Sequence, residues 1–270
     1  KIFWLQNQMT TAYAQRIATV GKGLQFKMDA LPVQQAYGSM RHRKMTVWSV
    51  PEEGLDDELR FSSKANLLAP VRRNIDVRGR SEDTAFVIDN ALSAEECEKL
   101  VAVTERLGYT AKNLRINKYQ NNKALYWYAN DAILQPIFDR IQHLLPQHCN
   151  GRKLYGRWSH RLHMYKYDDG DNFKKHLDGQ GPIGAEVKPD LNQTYWPGQV
   201  SQYTALVYIS GVEDGLQGGA TRCYYMSKTG RFVDVKPRKG SILYFRHGRD
   251  ESVLHQGMPV RGDVPKYVVR

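Results

Sequence analysis

The sequence predicts a mainly β fold with flanking helices, of the jelly-roll barrel or sandwich type. From residue 154 onward, short alternating runs follow one another: "RLHMYKY", "FKKHLD", "YTALVYI", "ATRCYYM", "RFVDVK", "SILYF", "SVLHQ" and "KYVVR", with glycine-rich punctuation between them. Alternation of apolar and polar residues at period two marks strands with one buried face. No helix-length segment separates these runs, which argues against a doubly wound sheet, and the helical patterns all come before them. A chain of 270 residues can bury a full core as one large domain, or as a domain with an extension.

Residues 1–83 show no sustained period and mix "VPEEGLDDE" with "VRRNIDVRGR", so they are expected to form a basic, partly irregular extension of a main domain over 84–270. The domain opens with "TAFVIDN", a short strand ending in an Asp-Asn turn. Ser93 with Glu96 three residues later makes a capping box for a helix that buries Cys97, Leu100, Val101 and Leu107 and stops at Gly108. A second helix is marked by Ile137, Phe138, Ile141, Leu144 and Leu145, with Pro136 near its start and Pro146 at its end. The strands follow, interrupted after "HLD" by residues 179–200, which read as a long loop or lid with Tyr195 and Trp196 as apolar contacts.

The formal charge is +11, of which residues 1–80 carry +6 through thirteen Lys/Arg against seven Asp/Glu. That balance suits an acidic partner, so contact with RNA or a protein complex through the extension is one expectation. No apolar run is long enough to span a bilayer. Cys97, Cys149 and Cys223 are odd in number, far apart and never in CxxC, which signals neither a disulfide framework nor a cysteine zinc site and favours a reducing, intracellular setting. Before Asp29 the chain holds Arg16, Lys22 and Lys27 and no acid, a balance that favours a mitochondrial or other organellar location over the cytoplasm. Lys1 is not Met and Arg270 falls within a strand-like run, so the natural protein is expected to continue beyond both.

The chemistry centres on "FKKHLDG". On a strand, residues two apart share a face, so His176 and Asp178 project together while Leu177 points away. His255 in "SVLHQG" is the natural third member, and two histidines with one carboxylate leave open positions on an octahedral Fe(II). Taken alone, the His-x-Asp pair reads equally as two polar side chains on one strand.

The surrounding residues resemble the prolyl 4-hydroxylase-like family of 2-oxoglutarate and Fe(II)-dependent dioxygenases over about residues 84–270. "FVIDNALSAEECEKLVAVTERLGY" is similar to the family's entry strand and first helix, and "ILQPIFDRIQHLLP" to its second helix. "MYKYDDGDNFKKHLDG" resembles its Y-x-x-G-x-x-F-x-x-H-x-D-G segment, "YTALVYIS" its central strand and "GLQGGATRCY" its G-G-x-T turn. "VDVKPRKGSILYF" and "LHQGMPVRGDVPKYVVR" resemble its last strands.

The resemblance implies a double-stranded β-helix core and hydroxylation of a peptide or protein, first of all at a prolyl residue, with ascorbate as external reductant. It implies that His176, Asp178 and His255 hold iron, that Lys266 holds the far carboxylate of 2-oxoglutarate, and that Tyr167 donates a second hydrogen bond to the cosubstrate. No catalytic residue is implied beyond the metal centre. Lys266 lies eleven residues after His255, one more than the family's usual spacing, which on a regular strand would reverse its side chain unless a bulge intervenes. Arg270, of the same parity, and Arg261 are therefore the alternative anion partners.

Two other functions remain open at this point: modification of a nucleic-acid base, and a structural subunit that reuses a dioxygenase fold in a large assembly of the organellar, RNA-containing kind. His160 and His163 read as ordinary strand polars, and His247 in "RHGRDES" as a solvated turn residue. Gly218 and Gly219 read as a strand turn rather than a phosphate loop, because no helix or Lys-Ser/Thr follows them.

Overall fold

The computed structural model describes residues 2–24, 29–31, 47–49, 59–63, 68–77, 80–109, 119–187, 193–225, 230–248 and 252–270. All of "VPEEGLDDE" lies outside them. Helix α1 (Ile2–Gly23) precedes short strands β1 (Asp29–Leu31), β2 (Val47–Ser49) and β3 (Val71–Asn74), then β4 (Ala85–Asp89), α2 (Ala94–Leu107), β5 (Gln120–Asn121), β6 (Lys123–Tyr128) and α3 (Asp131–Ile141). Next come β7 (His148–Cys149), β8 (Arg152–Lys153), β9 (Arg161–Tyr167), β10 (Asn172–His176), β11 (Pro182–Val187), β12 (Gln193–Val200) and β13 (Tyr203–Tyr208). The rest is β14 (Gln217–Gly218), β15 (Thr221–Tyr224), β16 (Phe232–Val235), β17 (Ile242–Arg246), β18 (His255–Gly257), β19 (Val260–Arg261) and β20 (Lys266–Val269).

Two sheets organise these strands. The larger has nine, in the order β1-β2-β6-β9-β20-β13-β17-β4-β3, and the smaller has five, in the order β16-β15-β18-β10-β5. The sheets meet through a buried cluster that joins Val87, Tyr208, Leu243, Phe245 and Val268 of the first to Cys223 and Val235 of the second. The larger sheet's other face packs on the helices through Phe86, Met164, Ile242, Tyr267 and Val269 against Leu100, Val101, Ile133, Ile137 and Ile141. The result is a mixed fold of helices and β-sheet. Each of the eight runs predicted as strands holds one.

The α2 cap forms as read. Ser93 Oγ accepts from the Glu96 amide at 3.0 Å, and Glu96 returns a carboxylate oxygen to the Ser93 amide at 2.9 Å. Glu96 does a second job, because Arg140 of α3 grips both its oxygens at 2.6 and 2.8 Å with both partners buried, tying the two helices together. Helix α3 begins at Asp131, so Pro136 lies inside it rather than in its first turn.

Three differences from the sequence reading bear on the site. Residues 2–23 are helical rather than irregular, and Tyr13, Ile17 and Leu24 enter the core against α2. The extension also supplies strands to the larger sheet, with β2 pairing parallel to β6 and β3 antiparallel to β4. Residues 182–200 are not an open loop: β11 and β12 form an antiparallel hairpin. Among the described residues no helix is long and apolar enough to cross a membrane, and all three cysteines are buried free thiols.

Candidate metal centre

Strand β10 delivers His176 at its last residue and Asp178 just beyond, while β18 begins at His255 directly across the ladder from His176. The ligand-capable atoms of His176, Asp178 and His255 all lie within 4.8 Å of one another. Phe173 stacks on the His176 ring at 3.9 Å and an interplanar angle of 12°, and Phe245 lies 4.4 Å from the His255 ring. Gly257 faces Phe173, and a Cβ there would come within 3.2 Å of the Phe173 Cβ, so the glycine is what lets the phenyl ring close over the histidine.

Both imidazoles are held by their inner nitrogens. Nδ1 of His176 donates to the Lys174 carbonyl at 2.7 Å, and Nδ1 of His255 donates to the Val253 carbonyl at 3.0 Å. A carbonyl accepts only from N–H, so each neutral ring keeps its Nε2 lone pair for a cation. Burial pushes the His255 pKa down to about 4, which keeps that lone pair available at neutral pH.

Asp178 is divided in the same way. Its Oδ2 accepts from Thr204 Oγ1 at 2.7 Å and from Arg270 Nε at 3.1 Å, while its Oδ1 lies 3.5 Å from His176 Nε2. Burial works against the carboxylate, but Arg270 and the two histidines outweigh it and hold the group well below the usual carboxylate range. A carboxylate oxygen and two Nε2 atoms therefore converge on one point, a donor set suited to Fe(II).

Lys266 lies on β20 opposite Tyr167 of β9. Both side chains are buried, with the ammonium 5.3 Å from the Tyr167 ring and 5.4 Å from that of Tyr208. Nζ donates to the Gly219 carbonyl at 2.6 Å, and among the described residues no carboxylate pairs with it. Burial lowers its pKa to about 7. A buried ammonium facing only neutral groups fits an incoming carboxylate, which is what 2-oxoglutarate would bring.

The spacing concern over Lys266 disappears in the structure, because His255 and Lys266 are not on one strand. Strand β19 leaves the smaller sheet to pair with β14, and β20 starts afresh in the larger. Parity counted from His255 therefore has no bearing on Lys266. Arg270 is engaged with Asp178, and Arg261 is exposed on β19. The Gly218-Gly219 turn is a strand turn as read, both residues at positive φ, and a Cβ on Gly218 would lie 2.4 Å from the Pro259 carbonyl oxygen.

One histidine, His247, was misjudged, and His163, on β9 and outside the metal cluster as read, has unforeseen surroundings. His163 is buried beside the site, accepting from Arg161 Nε at 3.2 Å and meeting Tyr165 Oη at 3.2 Å. Burial, then Arg270 and Arg161, hold its pKa well below the ordinary value. His247 is buried, not solvated, and its Nδ1 donates to the carbonyl of Gly179, the residue after Asp178. Thr204 was also missed, since a threonine on a β-rich run carries no signal until the fold sets it beside Asp178.

Residues 162–270 match the 2OG-Fe(II) oxygenase superfamily. No curated protein matches the chain. Among solved structures, it is similar to a viral collagen prolyl hydroxylase from Paramecium bursaria Chlorella virus-1, at 21% identity and a TM-score of 0.47, covering 69% of this chain and 93% of that one. It is also similar to a Pseudomonas putida prolyl-4-hydroxylase, at 16% identity and a TM-score of 0.45, covering 69% and 90%. A third is a Trichoplax adhaerens prolyl hydroxylase in complex with a hypoxia-inducible-factor peptide fragment, at 18% identity and a TM-score of 0.46, covering 69% and 81%.

Proposed function

We propose that this chain, whose residues 162–270 match the 2OG-Fe(II) oxygenase superfamily, is a 2-oxoglutarate- and Fe(II)-dependent hydroxylase acting on a prolyl residue of a peptide or protein. The observation that carries the reading is the buried His176-Asp178-His255 cluster with both Nδ1 atoms already engaged. In this reading the two packed sheets are the halves of a double-stranded β-helix.

His176 and His255 hold the metal through Nε2 and Asp178 through Oδ1. With dioxygen, the Fe(II) and 2-oxoglutarate supply the oxidative chemistry that hydroxylates a C–H bond while the cosubstrate is converted to succinate and CO2. Thr204 and Arg270 fix the Asp178 carboxylate in one orientation by holding Oδ2. Lys266 binds the far carboxylate of the cosubstrate by a charge-assisted hydrogen bond, and Tyr167 lies beside it as the second donor. Phe173 and Phe245 shield the histidine faces from water.

The described parts of the extension are built into the body through α1, β2 and β3, and we assign them a structural part in this domain rather than RNA contact. Mass spectrometry of prolyl peptides incubated with the protein, Fe(II), 2-oxoglutarate and ascorbate tests the reading. One added oxygen is expected with the wild type and none with His176→Ala; unmodified peptides across a broad prolyl panel would reject the prolyl assignment.

A further inference from the structure

A cleft of about 700 Å³ opens beside the metal centre, at the end of the larger sheet where β9 and β13 begin and β17 and β20 end. Gly179, Thr204 and Arg270, the neighbours of Asp178, line it, so whatever occupies the cleft lies next to the candidate ligands. Its floor is apolar, including Ile137, Phe138 and Leu162. Its cations are Arg152, Lys153, Arg157, Arg161 and Arg270, and among the described residues no Asp or Glu lines it. Arg270 is neutralised by Asp178, whereas Arg152, Lys153 and Arg157 are exposed.

We infer that this cleft binds an extended acidic polypeptide segment, with Arg157 gripping an Asp or Glu side chain. Three observations carry it. The first is the charge: Arg152, Lys153 and Arg157 are exposed on the cleft, and no described acid lines it. The second is the posture of Arg157. Its guanidinium carbon lies 4.0 Å from the Trp196 ring centroid and 6.0 Å from that of Tyr155, contacts that position a planar fork able to meet a carboxylate in two parallel bonds. The third favours polypeptide over nucleic acid. His247 Nε2 and Gln199 Oε1 are buried acceptors with no hydrogen-bond partner, and both residues line the cleft. His247 donates through Nδ1, so its Nε2 needs a donor. Backbone N–H groups of an extended peptide supply donors at every second residue along one edge, whereas a phosphate backbone supplies none and a nucleic acid would have to turn base N–H or 2′-OH groups toward them. Among the described residues the hairpin β11–β12, which forms one wall, belongs to neither of the two large sheets; Gly184 of β11 accepts from the His160 amide, and β12 offers a strand edge to such a peptide.

This inference rests on the hydroxylase reading only in making the bound segment the substrate. Fluorescence anisotropy at low salt tests it, without metal or cosubstrate. The probes are a labelled peptide with a central Pro flanked by Glu, its Gln counterpart, and a single-stranded oligonucleotide of similar length. The Glu peptide is expected to bind about tenfold tighter than the Gln peptide. Arg157→Ala should erase that difference, and Arg157→Lys, which keeps the charge but not the fork, should restore only part of it. Equal binding of the Glu and Gln peptides, tighter binding of the oligonucleotide, or an unaltered preference in a folded Arg157→Ala protein would overturn it. Tight Glu-peptide binding without succinate formation would sink the hydroxylase reading alone. Succinate formation with Glu and Gln peptides bound alike would sink this inference alone.

Discussion

Thr204 and Arg270 meet on a single oxygen of Asp178, and that asymmetry gives the residue scale its sharpest expectation. With Oδ2 held, only Oδ1 is presented to a cation. Thr204→Val keeps the shape and removes one of the holding bonds, so anaerobic Fe(II) affinity should fall by about tenfold with little change in melting temperature. Unaltered affinity would show that Arg270 suffices alone. Lys266 offers a pH test. Its pKa falls to about 7 from 10.5 on folding because the ammonium is desolvated. Below pH 7 folded and unfolded chains both carry the proton, and the fold bears the whole burial penalty. Between pH 7 and 10.5 only the unfolded chain holds it, so stability rises with pH across that window. Lys266→Met should therefore be more stable than the wild type at neutral pH, lose that rise in urea melts, and bind 2-oxoglutarate at least about tenfold more weakly. A variant that keeps the rise would show that another group causes it.

At the scale of elements, turns and caps set where these residues point. Gly219 stands at φ +63°, and a Cβ there would lie 3.1 Å from Lys266 Cδ and 3.2 Å from Val260 Cγ2. Gly219→Ala should lower stability by about 1 kcal/mol or more through the backbone strain alone, and should weaken cosubstrate binding by displacing Lys266. Urea denaturation and calorimetric titration of 2-oxoglutarate would each register it. Ser93→Ala removes one arm of the α2 capping box and should cost about 1 kcal/mol without touching the site. Such features were legible in advance: Ser93 with Glu96, the stop at Gly108, and strands with one wet face. Strand β6 was not, since five of its six residues are buried, so "KALYWY" shows no alternation to read. The hairpin at 182–200 was hidden by its Gly and Pro content, which reads as loop.

Over the whole molecule, the same limit separates what could and could not be read in the sequence. The convergence of His176, Asp178 and His255 was legible because fixed spacing and neighbouring motifs point to them, whereas Lys266 was read against its spacing and its role, like that of Tyr167, is a proposal. His163, His247 and Thr204 were not legible, because their burial depends on strands far apart in sequence. The extension is the largest such case. Tyr13 and Ile17 pack against α2, and Arg16 reaches Glu98 at 2.9 Å and Asp214 at 3.1 Å. Removing residues 2–24 should uncover the outer face of α2 and lower the melting temperature by several degrees, since each large apolar side chain contributes about 1.5–3 kcal/mol on burial. An unshifted melt would mean that α1 does not hold the domain together.

The central claim is that the His176-Asp178-His255 cluster and Lys266 together make a working dioxygenase centre. Its most direct test is succinate formation from 2-oxoglutarate by the purified protein with Fe(II) and ascorbate, beside His176→Ala, Lys266→Met and a metal-free control. Succinate should form with the wild type, vanish with His176→Ala and without metal, and return with Lys266→Met only at high 2-oxoglutarate. A folded wild type that binds neither Fe(II) nor 2-oxoglutarate and forms no succinate would contradict it.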